Sequence, residues 1–230
     1  LIQPGGAVED RRLGLFILSS LAEHLGAGLV AHWPDFLPQV LSDIIDEQAE
    51  VRMPASYATS FLARQEAFAP YAAEAATKLA EVIAQTRKRG RQKSQQSSQM
   101  AADNALSALL ELLLHHESRL LPAHWAAWIS GLPCQEDEAE AFRNHGCLLQ
   151  LLQQEKAEVI GASGSNVPKL IAILVDIYRT PMADDLTSFG IGKLLLSSGP
   201  RLESMAASLS EKQRKKCSRI INDAQKGVVL

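Results

Sequence analysis

Apolar residues recur with helical spacing through nearly the whole chain, and this periodicity most constrains the fold. Residues three and four apart share one face of an α-helix, whereas a strand face needs a period of two, which no segment sustains. The first stripes are Leu13, Phe16, Ile17 and Leu21, then Leu37, Val40, Leu41, Ile44 and Ile45. Later stripes are Leu106, Leu109, Leu110, Leu113 and Leu114, then Phe142, Leu149 and Leu152, then Val167, Leu170, Ile171, Leu174 and Ile177. We therefore expect an all-α protein.

Prolines and glycines divide these stripes into helices. Proline is tolerated in the first turn of a helix and glycine is common after the last. Prolines 34, 122, 181 and 200 lie near predicted starts, and glycines 26, 131, 161 and 199 near predicted ends. Asn166, Thr180 and Ser210 are expected to cap helices, Ser210 as a capping box with Gln213.

Short connections make successive helices antiparallel neighbours. The predicted pairs cover residues 7–47, 49–86, 101–131, 135–180 and 183–208, with a last helix over 210–225. Their spacing is close to the ~40–47 residues of HEAT or armadillo repeats. We therefore predict a HEAT-repeat superhelical solenoid of antiparallel helix pairs, with residues 1–230 as a single fragment of a longer solenoid.

The stretch from Thr86 to Gln99 interrupts this pattern. It contains no apolar residue and is rich in serine, glutamine and positive charge. Such a composition predicts a flexible insertion over about residues 86–100. A solvated loop is the first interpretation. The alternatives are a nuclear-localisation signal, a nucleic-acid-binding segment, or an autoinhibitory segment that mimics basic cargo.

Composition favours a soluble protein of a reducing compartment. The net charge is −3, and the three cysteines form no paired framework. We also expect no apolar run long enough to span a bilayer and no signal segment.

Three segments resemble the C-terminal region of the importin-β (karyopherin-β) family, in its importin beta-3 branch. They are Asp103-Asn104-Ala105, the stretch from Trp125 to Pro133 with the acidic 136–141 segment after it, and the 159–170 segment with Asn166-Val167-Pro168-Lys169. The loop Gly161-Ala162-Ser163-Gly164 lacks the Pro-Asn run of the family.

The resemblance implies a nuclear transport receptor that shuttles between cytoplasm and nucleus. It implies basic protein cargo and nucleoporins as partners, with no chemistry and no cofactor. Ran GTPase would bind through N-terminal repeats of the family, which this sequence does not include. A HEAT-repeat scaffold or adaptor unrelated to transport is the alternative, because fold alone does not fix function.

Two sets of residues are candidates for protein binding. Trp125 and Trp128 share a helix face, either as an exposed aromatic pair or, as we favour, as core. The second set is an acidic cluster that would attract basic cargo or offset a helix dipole. It consists of Glu136, Asp137, Glu138 and Glu140.

Enzyme and metal functions have little support in the sequence. No phosphate-binding loop, nucleophile elbow or His-Glu-x-x-His motif is present. The histidines and cysteines lack the spacing of a structural zinc site. These residues are His115, His116, His124, His145, Cys134 and Cys147.

Overall fold

The computed structural model describes residues 2–89, 96–199 and 208–227. Contacts divide the chain into two compact units: Leu1–Gly131 with Gln135–Asp137, and Leu132–Cys134 with Glu138–Leu230. The described residues form helices and no strand, so the all-α prediction is confirmed. That residues 1–230 are a single fragment of a longer solenoid stays a prediction.

The described residues of the first unit form six α-helices. Its helices are α1 (Val8–Leu25), α2 (Trp33–Asp43), α3 (Ala49–Leu62), α4 (Ala72–Arg89), α5 (Gln96–His115) and α6 (Pro122–Gly131). Alternate helices pack side by side, because α3 contacts both α1 and α5. In the other row α4 contacts α6, and α4 and α6 both contact α5. The core of this unit lies between the two rows.

The second unit contains α7 (Glu138–Gln153), α8 (Ala157–Ile160), α9 (Val167–Ile177), α10 (Asp185–Ser197) and α11 (Glu211–Gln225). Helix α10 packs against α7, α9 and α11, and α11 also contacts α9. The predicted stripe of α9 is buried at Leu170, Ile171, Leu174 and Ile177. The Leu149 side chain packs directly against the backbone of Gly190, because a Cβ added at Gly190 would lie only 2.3 Å from Leu149 Cδ2.

The predicted core stripe of α1 is wrong. Leu13, Ile17 and Leu21 are 53%, 45% and 42% exposed, and Phe16 is exposed as well. The buried face instead carries a second apolar set that includes Leu15 and Leu18. Both faces of α1 are apolar, so periodicity alone could not identify the one that packs on the neighbouring helices. Ile45, Leu114 and Phe142 are also exposed, at the margins of stripes that are otherwise largely buried.

The expectation that no run could span a membrane also needs correction. One window within Val8–Asp43 is long and apolar enough by length and composition alone. However, α1 ends at Leu25, and a 3-10 helix begins at Gly26, whose φ is +50°. The apolar part of α1, from Leu13 to Leu25, therefore spans only about 20 Å at 1.5 Å per residue. A hydrocarbon core is about 30 Å thick.

Helical structure extends into both ends of the predicted insertion. Residues 86–89 belong to α4 and residues 96–99 to α5, so these positions are not a flexible loop. The reason is that Thr86 and Gln99 are buried and Arg87 is ion-paired, as described below. The remaining predicted loop residues, 90–95, lie outside the described residues.

Helix caps agree with the sequence in part. The Ser210–Gln213 capping box is present at the start of α11. Thr180 does not cap α10, because Asp184 Oδ1 accepts the Thr187 amide at 2.7 Å instead. Asn166 precedes α9 without a capping bond, since its side chain donates to the Val159 carbonyl at 3.0 Å.

Candidate protein-binding residues

The two tryptophans of α6 lie in the core of the first unit. Trp125 and Trp128 are 4% and 0% exposed, and their rings meet edge to face at 6.0 Å. Trp125 Nε1 donates to Glu117 Oε1 at 3.0 Å. The core interpretation therefore holds, and neither ring offers a surface to a partner.

A fully buried carboxylate organises the segment that precedes α7. Asp103, in the interior of α5, accepts the backbone amides of Gln135, Glu136 and Asp137 on Oδ2 at 2.9, 2.8 and 3.1 Å. Its Oδ1 accepts Arg87 Nη2 at 2.7 Å. The Asp103 carboxylate thus holds three consecutive amides and one guanidinium, and it fixes the course of residues 135–137.

Arg87 completes this network from α4. Its Nε donates to the Gly131 carbonyl at 2.9 Å, and its Nη1 donates to Gln99 Oε1. Gly131 is required here because an added Cβ would lie 2.6 Å from both Ile83 and Leu106. Arg87, which was predicted to belong to a basic loop, therefore links α4 to α5 and to the end of α6 through hydrogen bonds.

The first two residues of the predicted acidic cluster belong to the first unit and are half-buried. Asp137 Oδ2 accepts Asn104 Nδ2 at 3.0 Å, and Glu136 Oε2 accepts Gln96 Nε2 at 3.4 Å. Their side chains are therefore oriented by α5, which no local sequence pattern indicates.

The other two acidic residues belong to the first turn of α7 in the second unit. Glu138 is exposed and is available to a partner. Glu140 is only 7% exposed, which excludes it from a binding surface. The predicted helix start is confirmed, but only part of the four-residue cluster is accessible.

Sequence reasoning missed an acidic cavity in the first unit. It has a volume of about 350 Å³ and lies between the α2–α3 turn and α4. Asp46, Glu47 and Glu81 contribute carboxylates to its lining. Arg52 also lines it, but its Nη1 is occupied by the carbonyls of Asp46 and Glu47 at 2.7 and 2.8 Å. Glu81 is distant in sequence from Asp46 and Glu47, so only the packing of the turn against α4 brings the three carboxylates to one cavity.

A buried ion network supports one side of this cavity. Arg11 Nη2 donates to Asp43 Oδ1, and to Asp46 Oδ2 at 2.7 Å. Burial by itself would lower the pKa of Arg11, but hydrogen bonds to Asp46 and Asp43 raise it above its ordinary value. The network joins α1 to the end of α2 and keeps Arg11 charged.

Two of the histidines considered for metal binding contact backbone carbonyl and amide groups with their ring nitrogens. His145 Nδ1 lies 2.7 Å from the Met182 carbonyl oxygen, and its Nε2 accepts the Cys134 amide at 3.1 Å. His116 Nε2 lies 2.7 Å from the Ala63 carbonyl oxygen. Within residues 2–89, 96–199 and 208–227, no three His, Cys, Asp or Glu residues are grouped to hold a metal ion.

A comparison of the chain with models of known protein families finds no match.

Proposed function

We propose that this chain is a HEAT-type segment of a nuclear transport receptor, and that it binds basic protein cargo through an extended helical-repeat surface. The observation that carries the proposal is the side-by-side packing of α1, α3 and α5 in the first unit, with α2 packed on α3 and with α4 and α6 packed on α5. In such stacks each pair buries its apolar face on the next, and the outer surface remains available for partners.

The distribution of charge supports a basic partner. The chain has 23 Lys and Arg against 26 Asp and Glu, and five of the basic residues lie between Arg87 and Lys93. The rest of the chain is therefore distinctly acidic. Exposed Glu138 and the cavity lined by Glu47 and Glu81 are where a Lys- or Arg-rich segment would be attracted.

The proposal is tested by the anisotropy of a fluorescent Lys/Arg-rich peptide titrated with the chain. The expected affinity falls as salt rises, because the Debye length shortens from about 30 Å at 0.01 M to about 8 Å at 0.15 M. Glu138→Lys should weaken binding at low salt about threefold to tenfold, since it replaces an attractive charge by a repulsive one. Helicity should be unchanged because Glu138 is exposed.

The matched control is Asp185→Lys, which reverses an exposed carboxylate in the first turn of α10. Equal weakening by both variants would show only a general effect of net charge. No peptide binding at low salt would contradict the cargo proposal and favour a scaffold or adaptor. A parallel titration with a Phe-Gly-rich peptide examines nucleoporin binding, which should depend little on salt.

A further inference from the structure

One face of α1 is apolar, exposed and regular. Leu13, Ile17 and Leu21 follow one another at intervals of four residues and are each more than two-fifths exposed. A contiguous exposed apolar stripe of this kind indicates a surface that another helix covers.

The stripe is symmetric about Ile17. Leu13 and Leu21 lie four residues before and after it, and Asp10 and His24 lie seven residues before and after it. Offsets of four and seven residues fall on one face of an α-helix. Asp10 and His24 are both exposed. The apolar part of the face is therefore the same in both directions, whereas its two ends carry an acidic group and an imidazole.

We propose that two copies of this chain form a two-fold dimer in which their α1 helices pack antiparallel, with the axis at Ile17. In this arrangement each Leu13 meets Leu21 of the second copy, and each Asp10 meets His24 of the second copy. Such self-complementarity is the requirement for a closed two-fold interface. A parallel arrangement would instead place Asp10 against Asp10, which is unfavourable.

The surroundings of the stripe suit this partner. His24 Nδ1 lies 2.8 Å from the Ser20 carbonyl oxygen, so the other ring nitrogen, Nε2, remains to face the aspartate of the second copy. An open apolar cavity of about 200 Å³ adjoins the stripe. It is lined by Ile2, Gly14, Ile17, Leu18, Leu21 and Phe36, and it can receive a leucine of the other helix.

A single helix face makes a small interface, so the dimer should be reversible and depend on concentration. Sedimentation equilibrium of the full chain should show a mass that rises from 25.0 kDa towards twice that value over about 1–100 µM. Ile17→Glu should weaken the dimer at least tenfold, because it buries a charge at the axis. Leu121→Glu is the control, at a leucine that is 65% exposed elsewhere in the first unit. It should leave the mass unchanged.

Two further experiments test the position of the axis at Ile17 and the antiparallel pairing of the charged ends. Ile17→Cys should form a disulfide between two copies much faster than Leu121→Cys, with the parent chain as the measure of background from its own cysteines. Asp10→Lys should weaken the dimer, and adding His24→Glu to it should restore the affinity, because the pair of charges is exchanged.

A chain that remains monomeric at 100 µM, or a dimer that Ile17→Glu leaves intact, would overturn the proposal. So would cross-linking of Ile17→Cys at the control rate, or a charge exchange without rescue. Binding of the parent chain to phosphatidylcholine vesicles, lost in Ile17→Glu and without any dimer, would also overturn it and assign the face to a lipid surface.

Discussion

Replacing Asp103 by asparagine should destabilise the first unit strongly. The Asp103 side chain is fully buried and is bonded to Arg87 and to three backbone amides. Asparagine has nearly the same shape, but it has no charge and only one acceptor oxygen. The substitution therefore leaves the guanidinium of Arg87 without its counter-charge, and it weakens bonds to the amides of residues 135–137.

The size of the loss follows from these contacts. Breaking a buried ion pair by removing one partner costs about 3–5 kcal/mol. Two features reduce this figure: the Arg87 side chain is 14% exposed, and it keeps its bonds to Gly131 and Gln99. We therefore expect about 2–4 kcal/mol. With an m-value of about 2 kcal/mol/M, the urea midpoint should fall by about 1–2 M.

Tryptophan fluorescence can follow this unit selectively. The three tryptophans of the chain, Trp33, Trp125 and Trp128, all belong to it. Asp35→Asn is the matched control, at an exposed aspartate in the first turn of α2, and it should have little effect. The reasoning is refuted if Asp103→Asn and Asp35→Asn shift the midpoint equally.

Three further outcomes are expected. Burial lowers the pKa of His124, whose Nδ1 accepts the Leu121 amide at 3.1 Å. Below about pH 6.5 the unfolded chain therefore binds more protons than the folded chain, and the first unit should lose stability as the pH falls. Urea melts at several pH values measure this loss. His124→Gln should reduce this loss, and an unchanged pH profile would contradict the assignment. Burial raises the pKa of the Cys147 thiol, which Arg143 only partly offsets, so alkylation of Cys147 at pH 8 should be slower than that of free cysteine; an equal rate would count against this. Ser210→Ala removes the capping box of α11 at a cost of about 1 kcal/mol. Cys217 is 3% exposed on α11, so local opening of the helix should let it be alkylated about fivefold faster. An unchanged rate would show that α11 opens without losing its cap.

Much of the fold was predictable because it depends on local chemistry. The approximate positions of the helices follow from apolar spacing, and the Ser210–Gln213 box follows from a four-residue pattern. These signals act over one or two helical turns, so a single sequence carries them in full. Gly26 at the end of α1 is another such case, since its φ of +50° favours a residue without a side chain.

The candidate site was predictable only in part. The acidic residues were found by composition, but their accessibility was not, because Glu140 is buried and Glu138 is exposed within the same helical turn. The acidic cavity combines residues of the α2–α3 turn with Glu81 of α4, and no local pattern joins them.

The sequence by itself determined that this chain is helical, roughly where its helices begin and end, and that its charge outside the 87–93 segment is acidic. Only the tertiary structure decided which face of α1 is buried, because that helix has two apolar faces and its neighbours cover one. It also decided the roles of Arg87 and Asp103, which the sequence placed in a loop and at a helix start. Packing brings these two residues together in the interior, where a charge needs a partner, and that requirement sets the course of residues 135–137.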